Sequence, residues 1–428
     1  MRDAWGRKID YFRISVTDRC NLRCFYCMPE EGVPFKSHDE ILRYEEILRI
    51  VRCATSLGIR RVRVTGGEPL VRKGLPGFLR ALTCIDGVSD VSITTNGILL
   101  ADLATDIRKA GVSRINVSLD SLKPDRYEGI TRGQPGSWER VWRGIEEALK
   151  LGFDPVKINV VAMRGVNDDE LLDFAHLTVS MPIHVRFIEI MPLGEEASCT
   201  TPGATDWKDL FVSGDTILER LSLSGSLHPT EVKGAGPARY YRLDGAKGTI
   251  GIISAISRHF CPTCNRLRMT ADGKVSPCLA SNDEVDIGGP LRRGVDDSEI
   301  VRILRFAIMS KPLEHDMEAP DVAAESHRIM KEAAVSSGYE PLTEGEAASD
   351  DPIDSRVKPS KAAQSSKNQL AAAYGMTRSC PTGLGCPSAR PREEPLARPE
   401  GGTLEIHPGG GSGGFGDKSK RRMSQLGG

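Results

Sequence analysis

Six short segments alternate apolar and polar residues with a period of two, the pattern of a strand with two unlike faces. They cover residues 12–17, 61–65, 91–96, 114–120, 156–162 and 185–190. Apolar residues at helical spacing lie between most of them, at about 39–57, 74–84, 99–110, 137–151 and 168–180. Ser37 with Glu40 predicts a capping box before the first helix, and Ser137 a cap for the fourth. Strand and helix alternating at this spacing predict βαβ units on a parallel sheet. Six units are too few to close an eight-stranded barrel. The expected fold is therefore α/β, an incomplete (β/α)6 TIM-like barrel rather than a flat doubly wound sheet.

The alternation also says what the strands face. One face is polar: Arg13, Ser15 and Thr17; Arg61, Arg63 and Thr65; Ser92, Thr94 and Asn96; Asn116, Ser118 and Asp120; Lys157 and Asn159. The other carries residues such as Phe12, Ile14, Val62, Val64, Ile115, Val117, Ile158 and Val160, suited to packing under helices. With all strands oriented alike, the polar faces line one lumen. Such a lumen needs polar or charged occupants, because unpaired buried charge is costly. The alternative is an open sheet with one solvated face, against which stands the tendency of βαβ crossovers to cover both faces.

Farther along, residues 239–243 and 249–256 read as strands, and 267–270 with 274–277 flank Asp272-Gly273, a type I′ hairpin pattern. Helices are expected near 298–310 and 321–336. From about 340 to 420 the chain is rich in Ser, Pro, Gly and charge, with Tyr374 and Phe415 its only aromatics. Such a stretch buries too little apolar surface to offset its ordering entropy, so disorder is expected. The predicted organisation is a partial barrel over 1–200, a second β-containing region over 201–320, a largely disordered segment over 321–420 and a terminal piece, 421–428.

Charge excludes some classes. The 57 lysines and arginines balance 58 aspartates and glutamates, so no global charge draws the chain to nucleic acid or to a membrane surface. The first residues lack the apolar core of a secretory leader, and no apolar run reaches the roughly 18 residues of a membrane helix. A cytoplasmic location is expected. There, cysteines gathered at 20, 24, 27 and at 261, 264, 278 point to metal rather than disulfides.

Cys20-x3-Cys24-x2-Cys27 directly follows the first strand, where a (β/α) architecture builds its active face. Three thiolates in one loop suit three corners of an iron–sulfur cube and leave one iron open. Zinc, or three unligated thiols, is the alternative. Cys261-x2-Cys264-x13-Cys278 is a second trio. Folding about Asp272-Gly273 pairs residue 270 with 275 and 268 with 277, returning Cys278 opposite residue 267 and close to Cys264. His259 offers a fourth ligand, for a structural Cys3His zinc site. Arg266 and Arg268 share a strand face beside this trio, a site for an anionic ligand or merely a solvated face.

The run from Arg13 to Pro29, centred on Cys20-Asn21-Leu22-Arg23-Cys24-Phe25-Tyr26-Cys27, resembles the cluster loop of radical S-adenosylmethionine enzymes. So does Gly66-Gly67-Glu68-Pro69 after the second strand, whose glycines let backbone approach a ligand amine. The wider pattern resembles the GTP 3′,8-cyclase family, which opens molybdenum cofactor biosynthesis. Its pieces include Ile93-Thr94-Thr95-Asn96-Gly97, Asn116-Val117-Ser118-Leu119-Asp120, Arg186-Phe187-Ile188-Glu189-Ile190-Met191, Cys261-Pro262-Thr263-Cys264-Asn265-Arg266-Leu267-Arg268 and the terminal Gly427-Gly428.

The resemblance implies two 4Fe–4S clusters, on Cys20, Cys24 and Cys27 and on Cys261, Cys264 and Cys278. It implies S-adenosylmethionine contacts from Tyr26, Gly67, Ser118 and Met191. GTP contacts are implied for Arg13, Arg63, Thr94, Lys157, Arg266, Leu267 and Arg268, with Arg61 and Arg186 as further contacts. Arg266, Arg268, Gly427 and Gly428 are implied to support catalysis. In the implied reaction a 5′-deoxyadenosyl radical removes the 3′ hydrogen of GTP, the ribose radical attacks carbon 8 of guanine, and an electron and a proton finish the product. An external reductant such as a flavodoxin or ferredoxin, and cyclic pyranopterin monophosphate synthase downstream, are implied partners; a homodimer is allowed. The resemblance implies that the two clusters face each other across a cationic barrel mouth. One departure stands out: about 100 residues separate Lys311-Pro312-Leu313-Glu314-His315 from the terminal glycines, a gap typically much shorter in the family. Two other readings stay open, a radical peptide-modifying maturase and a non-catalytic nucleotide-binding scaffold bearing zinc or a cluster.

Overall fold

The computed structural model describes residues 1–192, 207–232, 236–315 and 317. The helix expected at 321–336, the stretch from 340 to 420 with Cys380 and Cys386, and Gly427 and Gly428 lie outside the described residues. All six predicted strands form: β1 (Tyr11–Ser15), β2 (Arg61–Thr65), β3 (Asp90–Thr95), β4 (Arg114–Ser118), β5 (Val156–Ala162) and β6 (Ile183–Glu189). They pair in parallel, each with its neighbour in sequence. Helices α1 (Tyr44–Ser56), α2 (Leu75–Thr83), α3 (Leu100–Lys109), α4 (Pro124–Thr131), α5 (Ser137–Lys150) and α6 (Leu171–Ser180) connect them. Ile14, Val64, Ile93, Val117, Ile158 and Phe187 are fully buried on the helix-facing side, as the alternation requires.

The later strands do not make a sheet of their own. After α7 (Gly214–Leu221) come β7 (Leu227–Thr230), β8 (Arg239–Leu243), β9 (Thr249–Ile253), β10 (Arg266–Met269), β11 (Lys274–Ser276) and β12 (Val285–Asp286), then α8 (Gly288–Arg292) and α9 (Asp297–Met309). β9 pairs in parallel with β6, and β10 in parallel with β1. One 12-stranded sheet results, in the order β12-β11-β10-β1-β2-β3-β4-β5-β6-β9-β8-β7. It is open, so the partial-barrel expectation holds, with both edges of the barrel extended by the C-terminal part. Among the described residues no helix is long and apolar enough to cross a membrane.

Three local expectations change. Ser37 N and Oγ do donate to Glu40 Oε2, each at 3.0 Å, but in a turn ahead of the helix. Helix α1 starts at Tyr44, where Arg43 N donates to Glu46 Oε2 (2.6 Å). Ser137 is the first helical residue of α5, and Gly136, at φ 84, is its cap. The β10–β11 hairpin pairs Arg268 with Ser276 and Met269 with Val275. Its loop therefore has three residues, Ala271, Asp272 and Gly273, with Gly273 at φ 87, rather than the two of a type I′ turn. Helices α4 and α7 escaped prediction because each has only eight residues, too few to show a period.

In-register pairing decides what meets in the lumen. Arg13 sits opposite Arg268 on one side and Arg63 on the other, and Arg63 opposite Ser92. Neighbouring strands lie about 4.8 Å apart, so three guanidinium groups on one face are neighbours by construction.

Candidate active site

The first cysteine loop is held from two sides. Arg23 N donates to Thr131 O (2.9 Å) and Phe25 N to Ile130 O (3.1 Å), so the end of α4 carries the loop. On the other side Gly67 N donates to Thr17 O and Glu68 N to Arg19 O, both at 2.8 Å. A Cβ on Gly67 would stand 2.5 Å from the Arg19 carbonyl oxygen. The glycine is thus required by the approach of the loop's own backbone. Glu68, fully buried, accepts from Thr95 Oγ1 (2.7 Å), Asn96 N (2.6 Å) and Leu70 N (3.0 Å), which joins the ends of β2 and β3. Burial pushes its carboxyl up to about 7 despite these donors.

The thiols of the loop are difficult to ionise alone. Burial, then Cys27, raises Cys24 well above the ordinary thiol range. Burial, then Cys20, takes Cys27 to about 11. A cationic iron centre relieves both causes. Neither cysteine trio gathers three sulfurs within 4.8 Å of one another among the described residues. A single tetrahedral zinc draws its thiolates to within about 4 Å of one another, whereas a four-iron cube holds them farther apart. Three soft thiolates in each trio are the donor set of a cube with one open iron. His259 does not complete a Cys3His set; it converges instead with Cys261 and His315.

In the second trio, burial alone would push Cys264 up. Arg266 and Lys311 more than offset it, bringing the thiol down to about 7. Arg266 also donates to Cys264 Sγ at 3.8 Å and stacks over Phe260 at 4.7 Å.

A cavity of about 430 Å³ runs through the lumen and is lined by both Cys27 and Cys264. Cys264 precedes β10, whose first residue pairs with Tyr11, while Cys20 follows the far end of β1. The run from residue 11 to 17 spans about 20 Å, so the trios lie at opposite ends of the lumen, not across one mouth. Of the predicted residues, Arg13, Tyr26, Arg61, Arg63, Thr94, Ser118, Arg186, Met191, Arg266 and Arg268 line it. Leu267 does not: strand alternation turns its side chain into the core, leaving only its backbone toward the lumen. Lys157, paired across β4 and β5 with Asn116, donates to Tyr240 Oη at 3.1 Å.

The cavity is electrostatically incomplete. Burial, then Arg268 and Arg63, hold Arg13 well below the usual guanidinium range, and burial, then Arg266, brings Arg268 to about 10. Asn159 Oδ1 and Arg186 Nε are buried without a hydrogen-bond partner among the described residues. Arg186, which shares its strand face with Ile188, is turned inward and donates to Asn116 Oδ1 (2.7 Å). An anion with further donors and acceptors satisfies all of these groups.

Two acids outside the expected ligand contacts also shape the site. Tyr26 Oη donates to Asp120 Oδ2 (2.7 Å), and burial raises Asp120 to about 6. Buried Glu189 accepts from Gly214 N (2.6 Å), Ile256 N (2.8 Å) and Ser257 N (2.9 Å), tying α7 and the segment after β9 to β6. Asp120 was legible as the end of a polar strand face. Glu189 was not, because its partners lie at least 25 residues away.

Known proteins resemble this chain along most of its described length. Residues 14–178 match the Radical SAM superfamily, and residues 183–317 match Molybdenum Cofactor Synthesis C. A GTP 3′,8-cyclase from Heliobacterium modesticaldum is 51% identical over 320 residues, covering 74% of this chain and 95% of that protein. Another, from Desulforamulus reducens, is also 51% identical over 320 residues, covering 74% and 96%. Among solved structures, Streptococcus suis SuiB bound to S-adenosylmethionine covers 66% of this chain and 64% of its own, with a TM-score of 0.48 and 16% identity. With about half of its residues identical across nearly the full length of those cyclases, the chain belongs to the GTP 3′,8-cyclase family of radical S-adenosylmethionine enzymes.

Proposed function

We propose that the chain converts GTP to (8S)-3′,8-cyclo-7,8-dihydroguanosine 5′-triphosphate, the first step of molybdenum cofactor biosynthesis. The observation that carries this reading is the row of arginines, Arg268, Arg13 and Arg63, facing a lumen with a thiol trio at each end. Two 4Fe–4S clusters and S-adenosylmethionine are the cofactors. Together they supply a 5′-deoxyadenosyl radical and electrons.

The protein's own groups orient and exclude. Cys20, Cys24 and Cys27 hold the first cluster and Cys261, Cys264 and Cys278 the second. Tyr26, Ser118 and Met191, with the backbone of Gly67, receive S-adenosylmethionine. Tyr26 is kept in place by its bond to Asp120. Arg13, Arg63, Thr94 and Lys157 take the nucleotide, while Arg266, Arg268 and the Leu267 backbone set its base end beside the second cluster. Fixing the ribose against the radical source is what the lumen contributes. Gly427 and Gly428 assist from the C-terminus, an external one-electron reductant of the flavodoxin or ferredoxin class feeds the clusters, and cyclic pyranopterin monophosphate synthase takes the product. The cytoplasm is the compartment.

An anaerobic incubation with reductant, S-adenosylmethionine and GTP is expected to release 5′-deoxyadenosine and a cyclised nucleotide, identified by mass and NMR. Release of 5′-deoxyadenosine only with a peptide substrate, or zinc in place of iron and sulfide, overturns the reading.

Lys157 makes a separate pH prediction. Burial, then Arg186 and Arg63, bring its ammonium down to about 6, so the free protein holds it mostly uncharged at neutral pH. A bound triphosphate raises that pKa, so binding takes up a proton. GTP affinity is expected to fall as pH rises above 6, and calorimetry in buffers of different ionisation enthalpy reads the proton directly. In Lys157→Met the uptake disappears; an unchanged pH profile in that variant refutes the assignment.

A further inference from the structure

The segment leaving α9 crosses back over the second cysteine trio. Lys311 is 2% exposed. Its Nζ donates to the carbonyl oxygens of Arg266 (2.8 Å) and Pro277 (2.6 Å) and to Cys264 Sγ (3.8 Å). Arg266 lies two residues after Cys264, and Pro277 directly precedes Cys278. One amino group therefore links the two backbone arms that carry these cysteines. All three partners are acceptors, which matches the three N–H bonds of an ammonium.

Lys311 is held in place by the N-terminal arm. Trp5 Nε1 donates to Lys311 O (2.8 Å). Arg7, oriented by Asp3 at 2.7 Å, donates to Pro312 O (2.6 Å), Leu313 O (2.8 Å) and Cys261 O (2.9 Å). Residues from the two ends of the described chain thus meet on all three arms of the trio. The known reaction needs no side chain here to touch substrate, and a plain space-filling role needs no cation.

We propose that Lys311 is a positioning residue for the second cluster: it fixes the Cys264 and Cys278 arms relative to each other and places an N–H donor on the Cys264 sulfur. The proposal rests on the reading of this trio as a cluster site. A donor and positive charge at a ligand sulfur favour the reduced, more negative cluster, so Lys311 makes the second cluster easier to reduce.

The test isolates this cluster in full-length protein carrying Cys20→Ala, Cys24→Ala and Cys27→Ala. After reconstitution with iron and sulfide, the midpoint potential is read by EPR-monitored titration and iron loss by transfer to a chelator. Lys311→Met is expected to shift the potential negative and to speed iron loss about tenfold, while Lys311→Arg, which keeps the charge, stays near the parent potential. A cluster retained with Lys311→Arg but lost with Lys311→Met also supports the proposal. A parent potential in Lys311→Met, or loss of the cluster in both variants, overturns it. If the parent triple variant takes up no cluster at all, the reading of the trio has failed, and Lys311 with it.

Discussion

Replacing Cys264 with serine is expected to end turnover while the first trio still holds its cluster. Cys264 stands at the start of β10 and lines the cavity. Arg266 and Lys311 have already brought its thiol near ionisation, to about 7. A serine hydroxyl at that place does not ionise at neutral pH and gives iron a poor ligand. The loop of Cys20, Cys24 and Cys27 is anchored on α4 and on the β2 end, at the far end of the lumen, so the substitution leaves it untouched. Reconstituted protein should carry about half the parent iron and yield less than about 1% of the parent product. Cluster EPR and product analysis check it together. Undiminished cyclisation with half the iron would remove the second cluster from the chemistry.

Exchanging Arg266 and Arg268 for alanine is expected to have opposite effects on ligand and fold. Each guanidinium that meets a nucleotide through charge-assisted hydrogen bonds contributes roughly 1.5–3 kcal/mol, so GTP affinity should fall about 100-fold or more for the pair. The free protein, however, carries these charges against one another: after burial, Arg266 is the largest influence on Arg268, and Arg268 on Arg13. Removing them relieves that repulsion, and the melting temperature of the nucleotide-free protein should hold or rise. Equilibrium binding and thermal unfolding measure the two effects. Unaltered GTP affinity would take both arginines out of the site; a large loss of stability would mean they support the fold instead.

Arg13, Arg63, Thr94 and Ser118 were readable as lumen residues, because a period of two assigns every second side chain to one face. The same rule puts Leu267 in the core, where family likeness had offered it as a ligand contact. Arg186 was harder to place, because Ile188 and Ile190 share its strand face and made that face look like core. In the fold all three line the cavity. A lumen wall can mix arginine with isoleucine where a ligand has both charged and planar apolar parts. The hairpin failed in register, since Asp-Gly marks a turn without counting its loop residues.

What the sequence determined by itself lay within short stretches: the six strands, the polar faces of the first five and the two thiol spacings, each a property of a few consecutive residues. What only the tertiary structure decided was adjacency. β10 lies beside β1, some 250 residues earlier, and that pairing sets Arg268 against Arg13 and puts the second trio at the opposite end of the lumen from the first. Lys311, Glu68 and Glu189 gained their roles in the same way, as buried polar side chains whose partners come from distant elements. The physical reason is that periodicity is written along one strand, whereas which strand lies alongside depends on how the whole sheet satisfies its edges.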